Sequence, residues 1–292
     1  MSRRQKTEIP FTRCAVACTS TGALDYFGKI DPHLYQLRMH VHLDTETYQD
    51  GTEIDANTFY RWMIDNPSQL PKTSPADLSE TIEFFMDLHK KGYNDVIVVT
   101  IASALSESAN IIRQASVLLS RRMRIHMLDS GTACAPEGAL AIKAAKMLNA
   151  GSSIEQTLHT LSEMAKKCVS FPCVGTLNYL VKSGRMSLIK GFVANILDIK
   201  PILQLGNNEL SLKETVRHTD KALDAVVNYI GQHMQQHSVS EAYAMYTGNP
   251  EMLQQFLTKL KAVTGLTPSS YPITPLVGAY LGPNAVSIGL FE

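Results

Sequence analysis

Charge of one sign is the first thing this sequence lacks. Lys and Arg number 27 and Asp and Glu 27 in 292 residues, and charged residues make up only 18% of the chain, against roughly 25% in average proteins. A protein that grips nucleic acid without sequence preference neutralises many phosphates and carries a basic excess or stripe. None is visible, so no nucleic-acid partner is expected. A polybasic membrane anchor is also missing, and no uncharged apolar run approaches the ~18 residues needed to span a bilayer, so no transmembrane segment is expected. Arg3, Arg4 and Lys6 open the chain without an apolar stretch behind them, which reads as a frayed leader rather than a signal peptide. These absences predict a soluble protein with the cytoplasm as its default compartment.

Cysteine pairs and sequence signatures are lacking as well. The five cysteines (Cys14, Cys18, Cys134, Cys168 and Cys173) are odd in number and form no C-x-x-C pair. Neither a disulfide framework nor a four-thiolate zinc site is expected, and the thiols read as small buried apolar groups. There is no G-x-x-x-x-G-K-[ST], no G-x-G-x-x-G after a strand, and no G-x-S-x-G, so nucleotide-binding loops and the α/β-hydrolase elbow are unsupported. His233 and His237 stand four apart on a helix, but Met234 follows His233 where a zinc protease has Glu. His40 and His42 share a strand face with no third ligand in view, and read as sheet-surface or interdomain residues. No metal and no cofactor is expected.

What is present is enough apolar material for a full core: 45% of residues are hydrophobic, and about two domains are the prior at this length. The first half alternates short apolar runs with amphipathic patterns, the signature of an α/β domain with a mainly parallel sheet and flanking helices. Strands are expected over Cys14 to Cys18, Leu37 to Leu43, Asp95 to Ile101 and Arg124 to Leu128. Leu78, Ile82, Phe85 and Met86 make one helix face, Ile111, Ile112, Ala115, Leu118 and Leu119 another, and Ala135 to Ala150 a third, nearly all apolar helix. Ser152 with Glu155 reads as a capping box opening the next helix.

Near Cys168 the pattern changes. Val169 to Val174 reads as a strand, Gly206, Asn207 and Asn208 as a hairpin turn after Ile199 to Leu205, and Thr219 and Asn249 with Pro250 as helix starts. Ala242 to Tyr246 reads as a strand, and Pro275 to Tyr280 and Ala285 to Phe291 as two more. The chain therefore divides into an N-terminal α/β domain, residues 1–164, and a smaller C-terminal mixed-sheet α/β domain, residues 165–292.

In open parallel sheets ligands settle at the carboxyl ends of the strands, where helix amides point into the crevice. Here those turns read Thr19, Ser20, Thr21, Gly22; Ser103, Ala104, Leu105, Ser106; and Asp129, Ser130, Gly131, Thr132, with Lys72, Thr73, Ser74, Pro75 opening the helix before the third strand. Each alone is explained as a helix cap, and Ser74, Pro75 and Asp77 fit one fully. Together on one rim they form a cup of neutral donors, suited to a carboxylate better than to a triphosphate, which wants Lys, Arg or a metal. Arg185, beside Gly184, and Arg217 are solvated surface arginines on one reading and phosphate or carboxylate contacts on the other. The twelve methionines are core filler or the flexible lining of an alkyl tunnel.

At these residues the sequence resembles the DegV family of bacterial fatty-acid-binding proteins, which includes the lipid-carrying subunit of fatty acid kinase. The likeness runs from about Cys14 to Phe291. It rests on Ser20–Thr21, Tyr48–Gly51, Pro71–Ser74, Ser103–Ser106, Asp129–Ser130, Thr176–Leu180 running to Gly184–Arg185, Ile199–Leu203, Arg217 and Gly282–Pro283. The resemblance implies two α/β domains with an acyl chain buried between them, its carboxylate held by Thr73 and Ser103 with Ser74, Ser106, Ser20 and Tyr280 nearby. It further implies that Arg185 and Arg217 serve a kinase partner and phosphoryl transfer, and that this chain is a carrier rather than an enzyme. A separate kinase subunit then binds ATP. Three positions depart from the family pattern: Thr19 stands where Asp usually precedes Ser-Thr, Glu107 where Gly is common, and Tyr280 where a histidine precedes Gly-Pro. The alternatives are a hydrolase or phosphotransferase using Ser103 or Ser106 as nucleophile, for which no sequence pattern nominates a base and which a hydrogen bond from His40, His42 or Asp129 to either serine would support, and a lipid-sensing regulator without a kinase.

Overall fold

The computed structural model describes residues 14–191 and 199–292; Arg3, Arg4 and Lys6 lie outside them. Strand β1 (Cys14–Thr19) is buried along its whole length, and β2 (Leu34–Leu37) pairs with it in parallel. The chain then leaves that sheet. β3 (His40–Leu43) pairs antiparallel with β4 (Glu46–Gln49) and, after helix α1 (Ala56–Asp65), with β5 (Lys72–Ser74). The single strand expected over Leu37 to Leu43 is thus two strands in two sheets. Arg38 stands at the break, its guanidinium donating to Asp25 Oδ2 at 2.6 Å and to the Asp50 carbonyl at 2.9 Å.

Helix α2 (Leu78–Lys90), β6 (Asp95–Thr100), α3 (Ser108–Leu119), β7 (Arg124–Asp129), α4 (Ala135–Asn149) and α5 (Ile154–Lys166) complete this half. The four-stranded sheet has the order β2-β1-β6-β7, all parallel. Its central strands are unbroken apolar runs because helices cover both faces. Ala15, Ala17, Val96 and Val98 pack with Phe85, Leu88 and Ile112, whereas Val16, Cys18 and Val99 pack with Leu140, Ala144 and Leu161.

Two caps differ from expectation. Asp77 caps α2, accepting from the Glu80 backbone at 2.9 Å while Glu80 Oε2 accepts from the Asp77 N–H at 2.8 Å. Ser74 cannot do this, because it is still paired with His40 in the β3–β5 ladder. The box opening α5 is Ser153 with Gln156, not Ser152 with Glu155. Ser153 is the residue with the extended φ and ψ (−69°, 160°) that a cap requires.

The second half begins with β8 (Cys168–Ser170), which stops short of Val174; Pro172 has no N–H to give the ladder, and pairing returns only as bridges at Cys173. There follow α6 (Asn178–Lys182), β9 (Ile189–Lys190), β10 (Lys200–Gly206), β11 (Glu209–Val216), α7 (Thr219–Gln236), β12 (Glu241–Tyr246), α8 (Pro250–Thr264), β13 (Ser269–Pro272), α9 (Pro275–Leu281) and β14 (Val286–Phe291). The mixed seven-stranded sheet has the order β13-β12-β14-β8-β10-β11-β9. Asn207 and Asn208 join β10 to β11 with φ of 51° and 58°, the left-handed pair that a two-residue type I′ hairpin needs.

The apolar run from Pro275 to Tyr280, read as a strand, is helix α9. Pro275 sits in its first turn, where the missing N–H costs nothing, and Gly278 lies so close to Tyr60 that a Cβ would come within 2.1 Å of the phenol oxygen. Packing against α1 thus overrides the local strand-like pattern.

Alternation along the mixed sheet separates two faces. Ile202, Ala244 and Ile288 pack against Val226 and Ile230 of α7 and Phe256 of α8, while their neighbours Leu203, Met245 and Ser287 face a cavity on the other side. All five cysteines are buried free thiols. Among the described residues no helix is long and apolar enough to cross a membrane.

Candidate functional site

The cavity lies where the carboxyl ends of the parallel strands meet the inner face of the mixed sheet. It encloses about 190 Å³. The turns after β1, β6 and β7 contribute Thr21, then Ile101, Leu105, Ser106 and Glu107, then Ala133 and Cys134; the mixed sheet contributes Leu203, Leu205, Leu210 and Met245; α9 contributes Leu276, Val277, Tyr280 and Leu281. Most of this wall is hydrocarbon. Among the described residues, Met39 and Met245 are the methionines that line it.

The polar groups gather where β5, α9 and the segment after α6 converge. Thr73 Oγ1 and Tyr280 Oη are 2.5 Å apart, and the Arg185 guanidinium lies over the Tyr280 ring, 5.1 Å from its centroid. Arg185 Nε is buried without a hydrogen-bond partner among the described residues, so this part of the cavity holds a donor that none of them uses. Ser106 Oγ, also on the wall, accepts from the Ser108 N–H at 3.2 Å and donates to Ser108 Oγ at 3.2 Å. Glu107 lines the cavity too, but its carboxylate accepts from Asn110 Nδ2 at 2.6 Å on the first turn of α3.

The other candidates are engaged elsewhere. Ser103 is exposed, outside the lining, and its hydroxyl accepts from Asn208 Nδ2 at 2.7 Å. Asn208 also donates to Asp129 Oδ2 at 3.1 Å and accepts from the Ala104 N–H at 3.1 Å, which ties the hairpin of the mixed sheet to the strand-end turns. Ser74 pairs with His42 Nε2 at 2.9 Å. Ser20 is fully buried and accepts from the Met39 N–H at 3.2 Å. Beside it burial pushes Asp50 up to about 7, against the pull of the Ser20 hydroxyl and the Arg38 guanidinium. Arg217 is exposed after β11, outside the lining.

Among the described residues no side chain of His40, His42 or Asp129 is hydrogen-bonded to the Ser103 or Ser106 hydroxyl. His40 pairs with Glu80 at 2.8 Å, His42 with Thr47 and Ser74, and Asp129 takes the Ser103 backbone N–H rather than its hydroxyl. Burial pushes the Cys134 thiol up, away from the reactive thiolate.

One buried group escaped the sequence reading. Glu137, on α4 and fully buried, receives Thr19 Oγ1, Thr21 Oγ1 at 2.9 and 2.8 Å, and Cys18 Sγ at 3.5 Å. Burial pushes its carboxyl up to about 8, with the Thr19, Thr21 and Cys18 hydrogen bonds pulling the other way. Thr19 Oγ1 accepts in turn from the Ile101 N–H at 3.1 Å. The available signal was a lone acidic residue in a helix otherwise apolar enough to be buried.

A family model described as an uncharacterised protein family, DegV, matches residues 20–292. A DegV domain-containing protein of Listeria monocytogenes is 26% identical over 277 residues, covering 94% of this chain and 97% of its own. The crystal structure of DegV from Bacillus subtilis, described as a fatty acid binding protein, has a TM-score of 0.82 at 24% identity over 96% of this chain and 100% of its own. A stearic acid-binding protein from Eubacterium ventriosum has a TM-score of 0.83 at 21% identity, over 95% and 97% of the two chains.

Proposed function

Because this chain belongs to the DegV family, we propose that its cavity holds a long-chain fatty acid between an N-terminal domain of residues 1–164 and a C-terminal domain of residues 165–292. The observation that carries the reading is an apolar cavity at one part of which Thr73, Tyr280 and an Arg185 Nε with no hydrogen-bond partner among the described residues come together. Solved relatives described as binding fatty acids or stearic acid support it. Each buried CH₂ contributes about 0.8 kcal/mol, so a sixteen-carbon tail supplies on the order of 10 kcal/mol before ordering costs. The tail provides the affinity and the polar end sets the orientation.

In this reading Thr73 and Tyr280 give hydroxyl donors to the carboxylate, Ser106 lies on the same wall, and Arg185 supplies positive charge. Ser20 and Ser74 support the surrounding backbone and sheet. Ser103 keeps its O–H proton, because its oxygen only accepts from Asn208, and it reaches the ligand by turning towards the cavity from outside the lining. The chain acts as a cytoplasmic carrier, not an enzyme by itself, presenting the carboxylate to a separate kinase subunit that binds ATP and forms the acyl phosphate. Arg217 lies on the surface offered to that partner.

Organic extraction of the purified protein, followed by mass spectrometry, is expected to release a long-chain fatty acid, and stripped protein is expected to bind labelled palmitate or oleate. Protein that is empty and takes up neither overturns the reading. Co-purification with an ATP-binding subunit tests the kinase partnership separately, and a lipid-loaded protein that retains none argues for a sensor instead.

A further inference from the structure

The helical histidines meet a third donor that local sequence does not reveal. His233 and His237 stack their imidazoles at the end of α7, with centroids 4.5 Å apart and planes 18° apart. Glu292, the residue after β14, places Oε1 3.4 Å from His233 Nε2 and 3.1 Å from His237 Nδ1. The three donor atoms lie within 4.8 Å of one another. None of these residues lines the lipid cavity.

Two further features bear on what this cluster does. His233 Nε2 is buried and, among the described residues, makes the 3.4 Å contact to Glu292 but no hydrogen bond, and its ring is held edge-on to Phe171, with centroids 5.8 Å apart. A buried nitrogen left in that state costs free energy unless something takes it up. The spacing also fits an ion: zinc bonds of about 2.0–2.2 Å in a tetrahedron put neighbouring donors about 3.3 Å apart. Both distances to Glu292 are already close to that edge, and rotation of the exposed His237 ring adjusts the third. Three lysines line the same hollow: Lys166 is turned to Glu163 at 2.7 Å and Lys213 to the Tyr229 ring at 5.8 Å, while the Lys167 backbone carbonyl accepts from the Glu292 N–H at 3.3 Å.

We propose that His233, His237 and Glu292 form a binding site for a divalent first-row transition-metal ion, which clips the end of α7 to the residue after β14. Two imidazoles and one carboxylate suit Zn²⁺, Ni²⁺ or Cu²⁺; Mg²⁺ and Ca²⁺ prefer all-oxygen shells. Three protein donors leave a fourth tetrahedral position for water.

Titration of metal-stripped full-length protein with Zn²⁺, followed by calorimetry, is expected to give one site per chain, with no binding of Mg²⁺ at the same concentrations. His237→Ala and Glu292→Gln are each expected to weaken Zn²⁺ binding at least tenfold while fatty-acid uptake stays unchanged. Both side chains are partly exposed, at 41% and 24%, so these variants keep the core; His233→Ala is the harsher change because its ring packs on Phe171. Co²⁺ bound to the wild type is expected to show the intense visible absorption of a tetrahedral ion, lost in His237→Ala. A wild type that binds no Zn²⁺, or variants that bind it within twofold of wild type, overturns the site.

Discussion

The turns after β1 and after β6 are alike in sequence, each rich in hydroxyls at the carboxyl end of a central parallel strand, yet they do opposite things. After β1 the Thr19 and Thr21 hydroxyls face inward and hold the buried Glu137 carboxylate. After β6 the Ser103 hydroxyl faces outward and accepts from Asn208 on the opposite sheet. A hydroxyl satisfied by the interior is unavailable to a ligand, so a count of hydroxyls on the rim overstates the size of the head-group site. In the proposed site this leaves Thr73, Tyr280 and the Arg185 guanidinium to a carboxylate, since the Ser106 hydroxyl donates to Ser108 Oγ and Ser103 lies outside the lining.

The comparison also gives a physical role to Thr19, where the resemblance leads one to expect Asp. An Asp at position 19 would set its carboxylate against that of Glu137, and two carboxylates at hydrogen-bond distance cannot both stay ionised. Thr19 instead gives Glu137 a donor. Glu107, the second departure, bonds Asn110, which commits its charge to α3.

The sharpest way to break the contrast is Glu137→Ala, which strips the inner turn of its acceptor and leaves buried hydroxyls unpaired. It is expected to cost about 3–5 kcal/mol of unfolding free energy in urea denaturation; a loss under about 1 kcal/mol would mean that the inner turn is not held by this carboxylate. Glu137→Gln probes the same group by pH. The folded-state pKa of Glu137, about 8, lies above its unfolded value near 4.5, so its contribution to stability is greatest below pH 4.5 and declines as pH rises towards 8. The stability of wild type relative to Glu137→Gln should therefore fall by on the order of a few kcal/mol across that window. A difference that stays flat with pH would place the ionisation elsewhere.

Next in size is the head-group end. Thr73→Val is expected to weaken palmitate binding by roughly 10- to 100-fold, the loss of one charge-assisted hydrogen bond worth about 1.5–3 kcal/mol, and Tyr280→Phe by a similar factor. Smallest is Ser103→Ala. If Asn208 retains the Ser103 hydroxyl in the loaded protein, fatty-acid affinity should change by less than about threefold, under about 0.7 kcal/mol. An effect as large as that of Thr73→Val would show that the ligand displaces Asn208, and would merge the two turns into one site.

Legibility in the sequence followed burial and locality. β1 and β6 were readable because strands covered on both faces must be continuous apolar runs. The β10–β11 turn was readable because Asn207 and Asn208 are the residue type that tolerates left-handed backbone. The caps of α2 and α5 were each found in the right neighbourhood but on the wrong residue, since several nearby side chains had suitable chemistry and only the backbone conformation chooses among them. Helix α9 was misread because an apolar run of its length carries no decisive period; Tyr60, distant in sequence, decides it. The candidate site divides the same way. Thr73, Ser106, Tyr280 and Arg185 come together at one cavity, but the orientation of Ser103 depends on Asn208 across two sheets, and Glu137 was concealed inside a helix that otherwise read as plain core.

The seat of Gly278 on Tyr60 reaches further than the choice of helix over strand. The same short helix presents Val277, Tyr280 and Leu281 to the cavity, and Tyr60 is itself pinned, its phenol donating to the Ile273 carbonyl at 2.8 Å. Cavity width is therefore governed from behind the wall. Adding a methyl group at 278, or trimming the ring at 60, shifts the Val277, Tyr280 and Leu281 wall without altering any residue that lines the cavity, so this pair sets the cavity's width from outside it.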